Sequence, residues 1–362
     1  MKKIAVIGIQ GVPAHYGGFE TLMENIIGEN CSPDIQYTIF CSKKDYSEQL
    51  ETYKGAKLKY VPFFHANGIQ STPYDILSML MSLNGYDTIL VLGVSGCIFL
   101  PIFKLFYRKR LIINIDGLEH RRAKWGRFAK LFLRTSESMA VKYADVIIAD
   151  NKGIQDYVSE TYGRQSELIA YGGDHVLRQV SRQKIENVLS GYGLIPHGYS
   201  ITVCRIEPEN NCHVILDAFA HTENRLVFIG NWNRSVYGCS LKEKYDQCQN
   251  IQMLDPIYDL DTLYALRANA KMYFHGHSAG GTNPSLVEAM FFGIPIVAYD
   301  VVYNRATTTG KALYFKTSED IVDIFSLTED ILKQCGMDML TIARQEYCWA
   351  DIARKYESYY SK

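Results

Sequence analysis

Short apolar runs alternate with stretches of helical spacing along the first half of the chain. Each run is continuously apolar rather than alternately apolar and polar, which is typical of strands buried on both faces. Strands of this kind form parallel sheets with helices on each side. The first half therefore predicts a parallel sheet with strands at residues 4–9, 35–40, 57–63, 88–93, 110–115, 146–150 and 167–171.

The same alternation begins again in the second half. The segment 172–187 between the two sets is polar and lacks strand character, which indicates a connection between domains. The tail from about Ser318 is helical in pattern. Two open α/β sheets in succession predict a central cleft, with ligands at the carboxyl ends of strands. The second set of strands is predicted at 200–204, 225–230, 251–254, 271–275, 295–299 and 312–315.

Length, composition and charge narrow the class of protein. The 362 residues exceed what one hydrophobic core usually serves, and 47% hydrophobic residues exclude a disordered chain. A net charge of −1 excludes a protein that binds nucleic acid through its overall charge. The nine cysteines include no Cys-x-x-Cys pair, which favours a reducing compartment over a disulfide framework or a zinc site.

No segment has the pattern of a membrane span or a signal peptide. The apolar run after the first three residues is too short for a signal peptide and favours a buried strand. The uncharged stretch 88–103 is shorter than the roughly 18–20 residues of a span and contains glycines and a proline. We interpret this stretch as a buried strand, a turn and a helix start.

A glycine-rich segment follows the first strand. It has glycines at 8, 11, 17 and 18, and a helix is predicted to begin near Gly18. Glycine lets the backbone approach a ligand, and a helix start offers N–H groups to an anion. The spacing matches neither the dinucleotide fingerprint nor a Walker loop. The alternative is a glycine-rich connector that binds nothing.

A second glycine-rich turn lies between a strand that ends at His275 and a helix opened by Asn283, Pro284 and Ser285. Proline suits the first helical turn, and unpaired N–H groups there can hold a phosphate. Glu288, one turn further on, could accept hydroxyl hydrogens from a ribose. The alternative is a solvated glutamate beside a turn of small residues.

Arg205 follows the first strand of the second half. A guanidinium at a strand end can clamp a diphosphate bidentately. One arginine is a weak signal. Together with the turn before Glu288, it predicts a nucleoside diphosphate bound by the second half of the chain.

The segment 113–134 combines a strand-end carboxylate with a basic stretch. Asp116 ends a strand and is predicted to face the cleft. The following cations alternate with aromatic and apolar residues, and such a helix can lie on an anionic membrane. The alternative is an amphipathic helix packed on the sheet. The predicted membrane or acceptor face comprises Arg121, Arg122, Lys124, Trp125 and Arg127.

Neither the histidines nor the acidic pairs predict a metal site. His275 and His277 are two residues apart and suit packing or hydrogen bonding better than zinc. Asp259 and Asp261 imitate a metal-binding pair, but they open a predicted helix, where acidic residues cap the N-terminus.

Four blocks occur in an order shared with a known family: YGGFET (16–21), DGLE with RAKWG (116–126), RIEPENN (205–211) and GGTNPSLVEAM (280–290). The chain resembles the family 4 glycosyltransferases, and among them the bacterial β-1,4 rhamnosyltransferases of capsule and cell-wall polysaccharide assembly. The resemblance implies the GT-B fold, with two Rossmann-like parallel-sheet domains facing a central cleft. It implies an acceptor-binding domain at 1–175, with a final helix at about 346–362 packing back on it, and a nucleotide-sugar-binding domain at 176–345.

The resemblance also implies a reaction. A hexose, with L-rhamnose from dTDP-rhamnose as the first choice, would pass with retention to a lipid-linked saccharide. No metal or cofactor is expected, and the enzyme is expected in the cytoplasm, peripherally on the inner face of the cell membrane. Asp116, Arg205 and Glu288 are the expected catalytic residues. The expected donor-binding residues are Gly17, Gly18, Arg205, Asn210, Gly281, Thr282, Asn283, Pro284, Ser285, Leu286 and Glu288.

Three departures from the family pattern stand out. Gly280 replaces the first of two glutamates, Asn210 replaces a widespread lysine, and Asp116 stands where many relatives have a histidine. The first two leave fewer contacts to sugar and phosphate. A sugar-nucleotide epimerase of the same fold and a catalytically silent nucleotide-sugar-binding module therefore stay open, and a dehydrogenase is the weakest alternative.

Overall fold

The structure is a computed structural model that describes all residues except 16, 30, 116, 122–124, 361 and 362. The chain forms two compact units. Unit 1 comprises Met1–Tyr171 together with Trp349–Lys362, and unit 2 comprises Gly172–Cys348. The chain therefore passes from unit 1 to unit 2 and returns.

Unit 1 contains an eight-stranded sheet in the order β3-β4-β2-β1-β5-β6-β7-β8. All neighbours are parallel except β3 and β4, which form an antiparallel pair. The strands are β1 Lys2–Ile7, β2 Ile35–Ser42, β3 Thr52–Tyr53, β4 Ala56–Val61, β5 Thr88–Leu92, β6 Arg110–Asn114, β7 Val146–Ala149 and β8 Glu167–Leu168. The helices are α1 Gly18–Glu29, α2 Ser71–Met81, α3 Leu100–Phe106, α4 Arg127–Tyr143, α5 Lys152–Tyr162 and α14 Trp349–Tyr360.

Unit 2 contains a six-stranded, fully parallel sheet in the order β11-β10-β9-β12-β13-β14. Its strands are β9 Ser200–Val203, β10 Leu226–Ile229, β11 Ile251–Leu254, β12 Met272–His275, β13 Ile296–Tyr299 and β14 Leu313–Phe315. Its helices are α6 Arg182–Gly191, α7 Cys212–Ala220, α8 Val236–Tyr245, α9 Leu260–Ala268, α10 Pro284–Met290, α11 Val302–Thr307, α12 Ser318–Ile324 and α13 Glu329–Glu346.

The predicted α/β fold with two parallel sheets is confirmed. Every predicted strand is present. In the central strands this follows from burial on both faces, which leaves a clear apolar run; residues 4–7 of β1, for example, are fully buried, whereas the edge strand β8 is exposed. The stretch 88–103 forms β5, a turn and the start of α3, as predicted. Two details differ: β3 was not predicted, and the connection 172–187 contains the first turns of α6, for which the Ser181 side chain accepts a hydrogen bond from the Lys184 N–H.

Helix α14 belongs to the core of unit 1, although it lies at the end of the chain. Trp349 and Tyr356 are 1% and 0% exposed and pack with the core residues of β1, β2 and α1. The buried Asn114 side chain on β6 donates a hydrogen bond to the Tyr356 hydroxyl (2.7 Å). Among the described residues, the helices are all too short or too polar to cross a membrane.

Candidate functional site

Two loops meet at the carboxyl edge of the sheet of unit 2. β9 and β12 are parallel neighbours, so the loop after β9 (residues 205–211) and the loop after β12 (residues 276–283) start side by side. The Asn211 side chain donates to the Gly276 carbonyl (2.8 Å), and the Ser278 N–H donates to the Glu209 carbonyl (2.9 Å). The two loops are therefore held together as one edge.

Asn210 holds these two loops in place. It is only 3% exposed, and its Nδ2 donates to the Arg205 carbonyl (2.7 Å). Its Oδ1 lies 2.6 Å from Nδ1 of the buried His277, which therefore carries the proton of this bond. Gly276 permits the approach, since a Cβ there would lie 2.0 Å from the Asn210 carbonyl oxygen. The predicted hydrogen-bonding role of His277 is confirmed, and the predicted donor-binding residue Asn210 is built into the loop.

Arg205 lies at the open side of this edge. Its side chain is 41% exposed, and its guanidinium nitrogens lie 3.8 Å from Glu207 Oε2 and 4.0 Å from Glu209 Oε1. These ion pairs are long, so they orient the arginine without withdrawing it from solvent. A half-exposed guanidinium at a strand end can reach an anionic ligand.

The start of α10 differs from the prediction. Asn283 is the N-cap, and its Oδ1 accepts from the Ser285 N–H (3.0 Å) and the Ser285 hydroxyl (2.9 Å). The Leu286 N–H donates to the Asn283 carbonyl (3.1 Å). The expectation of unpaired N–H groups is therefore wrong at Ser285 and Leu286, because asparagine at an N-cap satisfies its own helix. Pro284 has no N–H to offer.

The other predicted donor-binding residues of this turn differ in their burial. Gly281 is half-buried, Thr282 is buried, and Leu286 is fully buried in the core of unit 2. The outward positions of the turn are therefore Gly281, Asn283 and Ser285.

Glu288 forms a buried ion pair that the sequence analysis missed. Its Oε2 accepts a hydrogen bond from a terminal nitrogen of Arg267 in the last turn of α9 (2.8 Å). The two side chains are only 15% and 5% exposed. Its Oε1 lies 3.5 Å from Nε2 of His175. The alternative of a solvated glutamate is excluded.

Arg267 sets the charge of Glu288. Burial raises the pKa of the Glu288 carboxyl, but the Arg267 charge and the His175 contact outweigh it and hold the pKa below its ordinary value. Glu288 is therefore ionised at neutral pH. A buried ion pair costs desolvation energy. Such a pair is consistent with a polar site that requires an oriented carboxylate. The only sequence signal was a lone basic residue in the helix before β12.

Two N–H groups of the glycine-rich loop of unit 1 donate hydrogen bonds to glutamates of α1. The Gln10 N–H donates to Glu20 Oε1 (2.8 Å), and the Ala14 N–H donates to Glu24 Oε2 (2.7 Å), both from α1. Gly8 has a φ of +92°, and a Cβ there would lie 2.2 Å from the Leu92 carbonyl oxygen. Two glutamates of α1 therefore occupy these loop N–H groups, whereas the predicted role of the N–H groups at the start of α1 stays a prediction.

Gly17 and Gly18 stand where that loop enters α1, and Gly18 is the first residue of the helix. Gly17 has a φ of +130°, and a Cβ there would lie 1.9 Å from Glu20 Oε2. Only glycine fits this backbone conformation without strain. The proposed contact of these two residues with a donor stays a prediction.

The residues after β6 are only partly described, since Asp116, Arg122 and Lys124 lie outside the described residues. The Arg121 guanidinium lies 4.7 Å from the centre of the Tyr157 ring. Trp125 Nε1 donates to Glu119 Oε2 (3.1 Å), and Arg127 is the exposed first residue of α4.

Two further predictions concern metals. Asp259 accepts from the Thr262 N–H (3.0 Å) and caps α9, as predicted. Burial, with a smaller contribution from His277, lowers the pKa of His275 well below its ordinary value, so this histidine is neutral. Across the part of the chain that the structure describes, no group of three or more His, Cys, Asp or Glu could hold a metal ion.

Comparisons with known families divide the chain in the same way. Residues 1–174 match a family described as "Domain of unknown function (DUF1972)", and residues 197–322 match "Glycosyl transferases group 1". The second match contains Arg205, Asn210, Arg267 and Glu288. No curated protein matches the chain.

Solved structures resemble the chain over nearly its whole length. Sucrose-phosphate synthase from Thermosynechococcus elongatus is similar with a TM-score of 0.80 and 14% identity, over 99% of this chain and 98% of that one. Anabaena HepE in complex with UDP-glucose gives 0.76 and 16%, over 100% and 99%. A glycosyltransferase from Rickettsia africae gives 0.75 and 12%, over 99% and 97%.

The chain has the GT-B fold, and its unit 2 contains a group 1 glycosyltransferase domain. The predicted fold and the predicted enzyme class, a glycosyltransferase, are confirmed.

Proposed function

We propose that this glycosyltransferase moves a sugar from a nucleoside diphosphate to a lipid-linked saccharide in the synthesis of a bacterial surface polysaccharide. L-rhamnose from dTDP-rhamnose is the first choice of donor, on the resemblance of the four sequence blocks. The observation that carries the proposal is the ion pair of Glu288, on the helix that follows the β12 loop, with buried Arg267, together with the half-exposed Arg205 in the neighbouring β9 loop. A carboxylate built in this way suits a donor with hydroxyl groups.

The donor would lie along this edge of unit 2. Arg205 would bind the diphosphate, and Oε1 of Glu288, the oxygen not taken by Arg267, would accept hydroxyl hydrogens of the ribose. Gly281, Thr282 and Asn283 would line the sugar. The structural similarity to HepE, which was solved with UDP-glucose, supports a nucleoside diphosphate sugar as the class of donor.

The reaction breaks the bond between the anomeric carbon and the diphosphate oxygen and forms a bond from that carbon to the acceptor oxygen. Arg205 would stabilise the negative charge on the leaving diphosphate, where one good donor lowers the barrier by about 3–4 kcal/mol. For retention, the acceptor attacks from the face that the diphosphate leaves, and a phosphate oxygen takes the acceptor proton. Asp116 would contact the reacting sugar. Since Arg205 supplies the positive charge, this mechanism assigns no step to a metal or cofactor.

The first experiment is a thermal-shift screen with dTDP-rhamnose, UDP-glucose and GDP-fucose, because a ligand at 100 times its Kd stabilises by about 2.7 kcal/mol. The stabilising donor is then incubated with lipid-linked acceptors, and release of nucleoside diphosphate is measured. Arg205→Ala is expected to lower turnover by about a hundredfold or more. The matched control is Arg182→Ala on α6, since that side chain is 93% exposed and is expected to matter little.

Three outcomes would reject the proposal. Unchanged turnover in both Arg205→Ala and Glu288→Gln would remove the site. An epimer or glycal formed from the donor alone would show the epimerase. Donor binding without release of nucleoside diphosphate, across all acceptors tested, would show the silent binding module.

A further inference from the structure

The first half of α4 exposes its large apolar side chains. Phe128 is 92% exposed, Leu131 is 65% exposed, and Phe132 is also exposed. Their spacing of i, i+3 and i+4 places them on one face of the helix. Between Arg127 and Thr135 the helix has no buried residue, so this half of α4 does not pack into the core of unit 1.

The residues that α4 buries are not the large apolar residues that core packing predicts. The buried residues are Ser136, Glu137, Ala140 and Val141; only Val141 is a branched apolar residue, and the others are small or polar. An amphipathic helix packed on a sheet buries its aromatic and leucine residues instead. Phe128 therefore lies outside the core at 92% exposed, whereas Phe132 is partly covered at 37% exposed.

Cations flank the exposed apolar face. Arg127, Lys130 and Arg134 lie in the same two turns, and within the described residues none of them forms an ion pair. The sequence has no acidic residue from His120 to Ser136. The first half of α4 thus combines apolar insertion with positive charge, which matches the interface of an anionic bilayer.

The neighbouring helix repeats the pattern. α3 packs against α4 and exposes Ile102, Leu105 and Phe106, again at i, i+3 and i+4, with Phe106 73% exposed. Arg108, two residues after the end of α3, is exposed. Elsewhere in the described chain, large exposed apolar residues are scattered singly over several elements and form no further triplet of this kind.

We infer that the first half of α4, supported by α3, docks the protein on an anionic membrane, with Phe128, Leu131 and Phe132 inserted at the boundary between headgroups and acyl chains. This inference rests on the proposed function only for its purpose, which is to bring unit 1 to a lipid-linked acceptor. The inferred docking surface shares Arg127 with the predicted face and extends it along α4 and α3.

Binding is tested on the full chain by sedimentation with phosphatidylcholine vesicles, with and without phosphatidylglycerol. We expect wild type to bind only the anionic vesicles. The triple variant Phe128→Ser, Leu131→Ser, Phe132→Ser is expected to bind at least about tenfold more weakly. Charge reversal at Arg127, Lys130 and Arg134 is expected to weaken binding about a hundredfold and to remove its salt dependence.

A matched control replaces three exposed apolar residues of unit 2, Ile195, Val236 and Leu260, by serine, and is expected to bind like wild type. Tryptophan fluorescence gives a second measurement. Trp232 and Trp349 are fully buried, so a blue shift with anionic vesicles reports Trp125, just before α4.

Three results would overturn the inference. The first is that wild type does not bind anionic vesicles. The second is that the serine triple variant binds them as tightly as wild type. The third is wild type that is dimeric while the triple variant is monomeric, which would make this face a contact between copies. The donor thermal shift, measured on the same proteins, separates the two proposals: vesicle binding without any donor shift rejects the proposed function alone, and the reverse rejects the docking surface alone.

Discussion

At the scale of single residues, Arg267 decides what Glu288 can do. Without it the carboxylate would be a charge held in a mostly buried position, which is costly. With it, Oε2 is held by Arg267 and Oε1 lies 3.5 Å from His175 Nε2, so both carboxylate oxygens are oriented.

We expect Arg267→Met to weaken donor affinity at least about tenfold and to destabilise unit 2 by about 3–5 kcal/mol, because Glu288 loses its buried partner. The donor Kd and urea unfolding measure the two effects. If Arg267 acts through Glu288, adding Arg267→Met to Glu288→Gln causes no further loss of affinity. Arg267→Lys keeps the positive charge and is expected to retain part of the donor affinity. Full additivity of the two losses would contradict this role.

Asp75 gives unit 1 a pH dependence. The carboxyl is 4% exposed and accepts hydrogen bonds from the Ser95 hydroxyl and the Gly96 backbone; burial outweighs them and raises its pKa to about 7. A raised native pKa stabilises the fold fully below the unfolded value of 3.8, and this contribution is lost as the pH rises through 7. Between pH 4 and 7 the free energy of unfolding should therefore fall.

Asp75→Asn removes the titrating group and should flatten this fall. The difference is measured by urea unfolding of wild type and variant at about pH 4.5 and about pH 7.5, close to the two ends of this window. An equal fall in both proteins would show that other groups cause it.

At the scale of elements, the loops after β9 and β12 act as one unit because Asn210 and His277 connect them. Asn210→Ala should cost about 1–3 kcal/mol, since it leaves buried polar groups without partners. Asn210→Lys, which restores the lysine widespread in the family, should destabilise at least as much, since the position is 3% exposed. Urea unfolding measures both, and Asn187→Ala on the exposed face of α6 is the control. A lysine variant with tighter donor binding and full stability would contradict this role.

The elements also show what a sequence can predict. Buried parallel strands leave continuous apolar runs, and the Asp259 cap is local, so both were predictable. β3 has only two residues and no period. The Arg267–Glu288 pair joins residues 21 apart in the chain, and the reach of Glu20 and Glu24 back to the glycine loop depends on how α1 is placed. Such contacts have no periodic signal, and the site depends on them.

At the scale of the whole molecule, α14 makes unit 1 depend on the end of the chain. Trp349→Ala should destabilise unit 1 by about 3–5 kcal/mol, because it opens a cavity in the core of that unit. Hydrogen exchange should increase at the amides of unit 1 and stay unchanged in β9–β14. Trp232→Ala, which removes a fully buried residue of unit 2, should give the reverse pattern. Equal effects on both units in either variant would contradict this division.

The return of the chain has a consequence for biosynthesis. Unit 2 is one continuous stretch and can fold as soon as it leaves the ribosome, whereas unit 1, translated first, must wait for Trp349 and Tyr356 to emerge. A prematurely terminated polypeptide would thus carry a finished second half beside an unfinished first half with exposed core, a form that chaperones and proteases recognise. Unit 1 therefore reaches its full core only after α14 has been translated.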